Sequence, residues 1–158
     1  MTKSRLIKRI VITGLIAGTL DILAAIFLLA GGNAARVFRY IASGAFGKAA
    51  FSGGGEMVAL GVFFHYFIAL TWTVLYFFSY PKVMFLQRNR WISGAAYGML
   101  VWAVMNLLVL PLSNIAPRNL TAANAVINIL ILIVCIGLPI ALSANDFYRN
   151  VTGPSSGE

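Results

Sequence analysis

The stretch MVALGVFFHYFIALTWTVLYFFS, residues 57–79, contains no aspartate, glutamate, lysine or arginine, and it decides the fold class. A helix that crosses the hydrocarbon core of a bilayer needs roughly 20 predominantly apolar residues, and this stretch is long enough. Similar runs occupy about residues 10–30, 92–112 and 122–144. Their apolar residues are continuous rather than alternating, which excludes a membrane β-barrel. The sequence therefore predicts an all-α membrane protein with four transmembrane helices in an antiparallel bundle.

The composition agrees with a membrane protein that forms a single domain. Of the 158 residues, 60% are hydrophobic and only 10% are charged, which leaves too few polar side chains to cover a soluble core. No loop is long enough to fold alone, so residues 1–150 are predicted to form one transmembrane helical domain. Residues 151–158 include GPSSGE, which resembles an engineered linker, and we expect a disordered tail there.

The net charge of +8 is distributed around the apolar runs. This pattern argues against nucleic-acid binding. The cations flank the apolar runs and are not interleaved with the aromatic residues of an exposed binding surface. With four spans, one side of the membrane holds both termini and Lys3, Arg5, Lys8, Arg9, Lys82, Arg88, Arg90 and Arg149. The other side holds Arg36, Arg39, Lys48 and Arg118. Cytoplasmic loops are richer in lysine and arginine, so both termini are predicted to be cytoplasmic. The first run is predicted to be a retained anchor, because its apolar part is longer than the roughly 7 to 15 residues of a signal peptide.

The first loop, predicted to face outward, contains a short amphipathic helix. In the segment 34–46, Val37, Phe38 and Ile41 fall on one side, and Arg36 and Arg39 fall on the other. Such a helix can lie in the headgroup plane with its arginines at lipid phosphates. It can equally cap the ends of the transmembrane helices, because both roles require the same pattern. The sequence leaves these two alternatives open.

Polar side chains inside the runs are predicted to form one layer: Asp21, His65, Asn106 and Asn128. A rise of 1.5 Å per residue puts Asp21 roughly 13 Å and His65 roughly 12 Å below the outer surface, with the two asparagines at roughly 9 to 10 Å. An acidic side chain at this depth costs roughly 2.5 to 3.5 kcal/mol on insertion scales, so Asp21 is expected to face the interior and to find His65 as its partner.

The polar layer has several interpretations. It can be a proton-linked site, a polar cavity for a small solute, or a hydrogen-bonded clasp that fixes the register of the helices. A metal site is disfavoured, because one histidine and one aspartate rarely suffice to hold a metal ion. Asn106 and Asn128 fit the structural role better than Asp21 and His65 do.

Small residues at helical spacing predict close contacts between helices. Gly14 and Gly18 lie four residues apart in the first run, and Gly94 and Gly98 repeat this spacing in the third. These four glycines are predicted to be helix-packing positions. The partners expected from the sequence are the lipid bilayer and either a second copy of the chain or another membrane protein.

No catalytic motif is visible in the sequence. It lacks a glycine-rich phosphate loop, a CxxC pair, HExxH and GxSxG, and Cys135 is its single cysteine. We predict no catalytic residues, no cofactor and no metal. An enzyme that modifies lipids is a remote alternative, because arginines at the interface could gather anionic headgroups.

Four stretches resemble a family of uncharacterised four-span bacterial inner-membrane proteins. They are GTLD at 18–21, YIASGAFG at 40–47, LGVFFHYFIAL at 60–70 and MNLLVLPLS at 105–113. The resemblance covers about residues 10–144 and implies a small bundle in the bacterial inner membrane. It implies no catalytic or transport activity.

The leading functional expectation is a membrane protein that binds or passes a proton or a small polar solute at Asp21 and His65. The alternative is a non-catalytic structural or accessory subunit of a membrane complex.

Overall fold

The computed structural model describes residues 3–115 and 121–152, and every regular element in those ranges is a helix. Four helices in these ranges are long and apolar enough to cross a membrane: Lys3–Leu29, Gly55–Ser79, Arg90–Leu112 and Ala122–Asn150. We name them spans 1 to 4. They confirm the all-helical class and the four candidate spans that the apolar runs predicted.

The helices extend beyond the apolar runs at two ends. Span 1 begins at Lys3, and the last helix continues to Thr152, which includes two residues predicted to belong to the tail. The first turns of span 1 carry lysine and arginine residues, whose long side chains can extend into polar surroundings while the backbone stays helical. The rest of the predicted tail, residues 153–158, and the segment 116–120 with Arg118 lie outside the described residues.

Three short π-helical turns interrupt the spans, at Ala25–Leu29, Met105–Val109 and Ile133–Gly137. Two of them stand directly before a proline inside a span, Pro111 and Pro139. Proline has no N–H group, so the carbonyl four residues earlier loses its helical partner and the local pattern shifts. The π-helical turn Ile133–Gly137 ends two residues before Pro139, where such a distortion of the helix is expected. The turns themselves were not predicted.

Spans 1 and 2 approach closely along the first pair of glycines. A Cβ atom added to Gly14 would lie 2.7 Å from Leu70 Cδ2, and one added to Gly18 would lie 3.0 Å from Ala69 Cβ. Larger residues would hold the two backbones apart at both positions. The glycines therefore determine which face of span 1 meets span 2.

Spans 3 and 4 meet along the second pair. A Cβ atom added to Gly98 would lie 2.5 Å from Ile133 Cα, and one added to Gly94 would lie 2.9 Å from Leu138 Cδ2. Gly137 of span 4 lies against the backbone of both glycines. Glycine thus stands on both sides of this contact, which brings the two backbones unusually near each other.

The loop between spans 1 and 2 contains the predicted amphipathic helix with the predicted bounds, Ala34–Phe46, followed by one further helical turn at Ala49–Ser52. Asn33 caps it by accepting a hydrogen bond from Arg36 N at 3.0 Å. Its inner face is buried at Ala42 and packs on span 2, where Gly61 makes room for the backbone of Phe38. Protein, rather than lipid alone, therefore receives the apolar face of this helix.

An aromatic cluster fixes the opposite end of the molecule. Tyr76 and Phe77 of span 2 are fully buried, and Tyr76 donates a hydrogen bond to Ser93 Oγ at 3.0 Å. Tyr80 and Tyr148 stack with ring centroids 4.9 Å apart. These contacts join the end of span 2, the start of span 3 and the end of span 4. A short helix, Met84–Arg88, connects spans 2 and 3 beside them.

Candidate functional site

Asp21 lies inside span 1, within an apolar sequence, and its side chain is partly exposed. Among residues 3–115 and 121–152, its carboxylate has no hydrogen-bond partner, and the ion pair seen there joins other residues, Arg90 and Asp146. A carboxyl group in the hydrocarbon region is costly unless it is protonated or paired. Within the described residues, the folded chain therefore gives the carboxyl group of Asp21 neither a hydrogen bond nor an ion pair.

His65 lies on span 2 and is buried, with 8% of its surface exposed. Its Nε2 atom is 2.7 Å from the carbonyl oxygen of Gly18 in span 1. A carbonyl oxygen can only accept a hydrogen bond, so Nε2 carries a hydrogen atom and is the donor. This bond assigns the tautomer and leaves Nδ1 as the ring atom that can gain a proton. Beside it, the hydroxyl groups of Thr19 and Tyr66 are 2.9 Å apart.

The structure brings Asp21 and His65 into the same region, because the carbonyl oxygen that His65 contacts belongs to Gly18, one helical turn before Asp21. No nitrogen of His65 lies within 4.0 Å of the Asp21 carboxylate. The two side chains are thus neighbours that are not directly bonded, and the histidine is held in place independently of the acid.

Cys135 of span 4 lies in the π-helical turn Ile133–Gly137, which packs against span 1. Its position in the run 122–144 puts it roughly 20 Å below the outer surface, deeper than Asp21, so the residue count gave no indication of this residue. Within the described ranges, no three His, Cys, Asp or Glu side chains are grouped to hold a metal ion.

Asn106 and Asn128 hydrogen-bond within their own helices. Asn106 Nδ2 donates to the carbonyl of Trp102 at 3.0 Å, and Asn128 Nδ2 donates to the carbonyl of Asn124 at 2.7 Å. Both acceptors lie four residues earlier, so neither amide bridges to Asp21 or His65. The four residues predicted to form one layer therefore fall into two groups. Asp21 and His65 are a titratable pair, whereas Asn106 and Asn128 form hydrogen bonds within their own spans.

Span 3 carries one further polar group that sequence reasoning missed. The indole nitrogen of Trp102 is buried and has no hydrogen-bond partner in the part of the chain that the structure describes. A buried donor without an acceptor is uncommon in native proteins. The sequence could have indicated this group, because Trp102 stands one helical turn before Asn106 on the same face of span 3. Asn106 occupies a π-helical turn, a feature often found at functional sites.

The arginines predicted to contact lipid headgroups lie on the loop helix. Arg36 is exposed, whereas Arg39 is partly buried and its Nε atom has no hydrogen-bond partner among the described residues. The charge of Arg39 acts on Glu56 at the start of span 2, and Glu56 Oε1 accepts a hydrogen bond from Gly54 N at 2.7 Å. Arg39 therefore has an acidic neighbour in the protein, and Arg36 is the arginine directed to the surroundings.

What the Asp21 region can do follows from its groups. It contains an acid without a hydrogen-bond partner among the described residues and, on the neighbouring span, an imidazole with one nitrogen fixed as a donor. Such a pair can hold, gain or release protons, and a small polar solute could replace the missing partner of Asp21. Comparison of the chain with models of protein families, with curated proteins and with solved structures gives no match.

Proposed function

We propose that this protein is a multi-pass protein of the bacterial inner membrane whose four spans form an antiparallel bundle with both termini in the cytoplasm. Contacts between helix ends support the antiparallel order. Thr13, near the start of span 1, has its hydroxyl 2.6 Å from that of Ser143, near the end of span 4. Tyr148 at the end of span 4 donates to the carbonyl of Phe77 at the end of span 2 at 2.9 Å. The excess of lysine and arginine at this end supports the orientation.

Within this bundle, the site at Asp21 and His65 binds or passes a proton or a small polar solute. One observation carries the proposal: the carboxyl group of Asp21 is inside an apolar helix and has no hydrogen-bond partner among the described residues. A clasp that only fixed the register of the helices would use the acid as an acceptor. An ionisable group that the fold does not satisfy is a functional candidate by default.

The geometry assigns different roles to the two groups. The hydrogen bond at Nε2 holds the ring of His65 in place, and Nδ1 is the ring nitrogen that can accept a proton. The protein covers most but not all of Asp21, so its carboxyl group is the part of the pair that we assign to the bound proton or solute. Protonation of the carboxylate removes a charge that is unfavourable in hydrocarbon, and protonation of the imidazole supplies a counter-charge to an ionised Asp21. Proton exchange at the pair is therefore the simplest chemistry that the site supports.

Proton movement is tested with the purified chain in liposomes that contain a pH-sensitive dye. We expect a proton flux that is lost in Asp21→Asn and in His65→Ala. Asp146→Asn is the matched control, because Asp146 is an exposed acid near the end of span 4.

Protonation is measured separately by infrared spectroscopy. On acidification, one component of the carbonyl stretch of protonated carboxyl groups should be present in the wild type and missing in Asp21→Asn. This second readout reports protonation of Asp21 even if no proton crosses the membrane. A flux equal to that of empty liposomes together with an unchanged spectrum in Asp21→Asn would overturn the proposal.

The alternative, an accessory subunit, is favoured by one feature of span 2. Phe63, Phe67 and Phe78 are exposed, and the rings of Phe63 and Phe67 stack with centroids 6.1 Å apart. This face could meet another membrane protein or a second copy of the chain as well as lipid. The glycine stripes are covered by helices of the same chain, so a partner would have to use the aromatic face. Phe63→Ala with Phe67→Ala should then release a partner retained after gentle extraction.

A further inference from the structure

A cavity of about 680 Å³ opens at the end of the molecule where spans 2, 3 and 4 meet. The connection between spans 2 and 3 forms one wall, and the end of span 4 forms the other. Its lining includes Tyr80, Arg88, Arg90, Trp91, Asn145 and Arg149. Pockets for small ligands usually measure about 300 to 1,000 Å³, so this one can hold a whole small molecule or headgroup. Asp21 and His65 do not line it.

The charge of this cavity is positive. Three arginines line it, and the acid beside them is Asp146, which pairs with Arg90 at 3.4 Å. Within the described ranges, Arg88 and Arg149 make no ion pair. Arginine presents several N–H donors in a planar fork that matches the oxygens of a phosphate. Two guanidinium groups without a counter-ion at one cavity indicate an anionic ligand.

Asn145 supplies a second, independent indication of a ligand. Only 6% of its surface is exposed, and its Nδ2 atom donates to the hydroxyl of Tyr80 at 2.8 Å. Its Oδ1 atom is buried and has no partner in the described part of the chain. Asn145 lines the cavity, and its amide has unused hydrogen-bonding capacity on Oδ1 and on the second N–H of Nδ2, which a ligand hydroxyl would use once a small rotation of the side chain uncovers Oδ1. Most buried polar groups are hydrogen-bonded, and this one lines the same cavity as the arginines.

The surroundings place the cavity at the level of lipid headgroups. Trp91 is more than half exposed at its rim, and the stacked rings of Tyr80 and Tyr148 form its inner side. Tryptophan and tyrosine concentrate at the interface between lipid and water. A ligand at this depth can enter laterally as part of a lipid or from the aqueous phase as a free molecule.

We propose that this cavity binds a phosphate ester that carries a hydroxyl group. Arg88 and Arg149 hold the phosphate, and Asn145 hydrogen-bonds to the hydroxyl. The ester is either the headgroup of an anionic phospholipid, with phosphatidylglycerol as the matching chemistry, or a soluble phosphate ester such as glycerol phosphate. Binding here requires no activity at Asp21.

The test uses the full chain and both sources of the ligand. Purified protein in neutral detergent is titrated with short-chain phosphatidylglycerol, phosphatidic acid and phosphatidylcholine, and separately with glycerol phosphate and inorganic phosphate, by calorimetry. We expect a preference for phosphatidylglycerol or for glycerol phosphate over the compounds without a free hydroxyl. Binding of the lipid alone, of the soluble ester alone or of both identifies the source and supports the proposal.

The variants separate this site from general attraction to a basic surface. Arg88→Gln with Arg149→Gln should weaken binding about tenfold or more, because it removes charge-assisted hydrogen bonds. Lys48→Gln is the matched control, since it removes an exposed cation at the other end of the molecule and should leave binding unchanged. Asn145→Ala should abolish the preference for the hydroxyl-bearing compound.

Two results would overturn the proposal. One is binding to neither phosphatidylglycerol nor glycerol phosphate above the level for phosphatidylcholine. The other is an equal loss of binding in Lys48→Gln and in the Arg88 and Arg149 double variant. Arg88 and Arg149 are exposed, so the double variant is expected to fold even if Asn145→Ala does not.

Discussion

His65 Nε2 in span 2 donates a hydrogen bond to the carbonyl oxygen of Gly18 in span 1, at a distance of 2.7 Å. The absence of a side chain at Gly18 lets the two helices approach closely enough for this bond, because a Cβ there would lie 3.2 Å from the ring of Tyr66. Gly18 therefore provides both the space that lets the helices approach and the carbonyl oxygen that accepts the hydrogen bond. The bond orients the imidazole beside Asp21 without using the acid itself.

His65→Ala should lower the free energy of unfolding by about 1 to 2 kcal/mol. It removes a buried hydrogen bond between helices, a class worth up to about 1.7 kcal/mol in membrane proteins, and it leaves a void. Thermal unfolding in detergent measures the change. Thr19→Val is the control, because it breaks an exposed hydrogen bond at the same helix contact and should cost less. Equal stabilities for wild type and His65→Ala would contradict this account.

Asp21→Asn should leave stability unchanged or increase it by about 1 kcal/mol, because the amide avoids the cost of a carboxyl group in an apolar helix. The carboxylate has no hydrogen bond to lose within the described residues. Unfolding at neutral pH tests this. A loss of more than about 1 kcal/mol, on the scale of a broken hydrogen bond, would show that Asp21 has a structural role instead.

Gly98→Ala should destabilise the contact between spans 3 and 4 by about 1 to 3 kcal/mol, the range for overpacking a tight interior. The added Cβ would lie 2.5 Å from a backbone atom of Ile133, so the helices must separate. Gly55→Ala is the matched control, because nothing lies within 4 Å of a Cβ at that position. Chemical unfolding of the two variants should give a clear difference, and identical curves would contradict the close contact.

Thr13→Cys together with Ser143→Cys should form a disulfide on mild oxidation of a chain in which Cys135 is replaced by alanine. The two native hydroxyl oxygens are 2.6 Å apart, so the new sulfur atoms start within reach of each other. A shift in gel mobility that is reversed by a reductant reports the bond. Thr13→Cys with Ser113→Cys is the control, since Ser113 follows span 3 near the loop helix and should remain unlinked.

Asp21 and His65 were predicted from residue type and depth, because titratable groups are rare in apolar runs. The structure places them on the two helices that meet at the bond from His65 to Gly18. The partner of His65 was predicted to be Asp21, and the observed hydrogen bond goes to a backbone carbonyl instead. Every residue of a helix has such a carbonyl, so the sequence does not mark which one will be used. The intrahelical bonds of Asn106 and Asn128 escaped prediction for the same reason.

By itself, the sequence determined the four apolar helices and the loop helix Ala34–Phe46. These features depend on apolar length and periodicity, which are properties of a few turns of chain. Only the tertiary structure decided the bond from His65 to Gly18 and the convergence of Arg88, Asn145 and Arg149 on one cavity. Such contacts depend on how each helix is rotated and shifted against its neighbours. Close packing at the glycines fixes that arrangement between residues far apart in the chain.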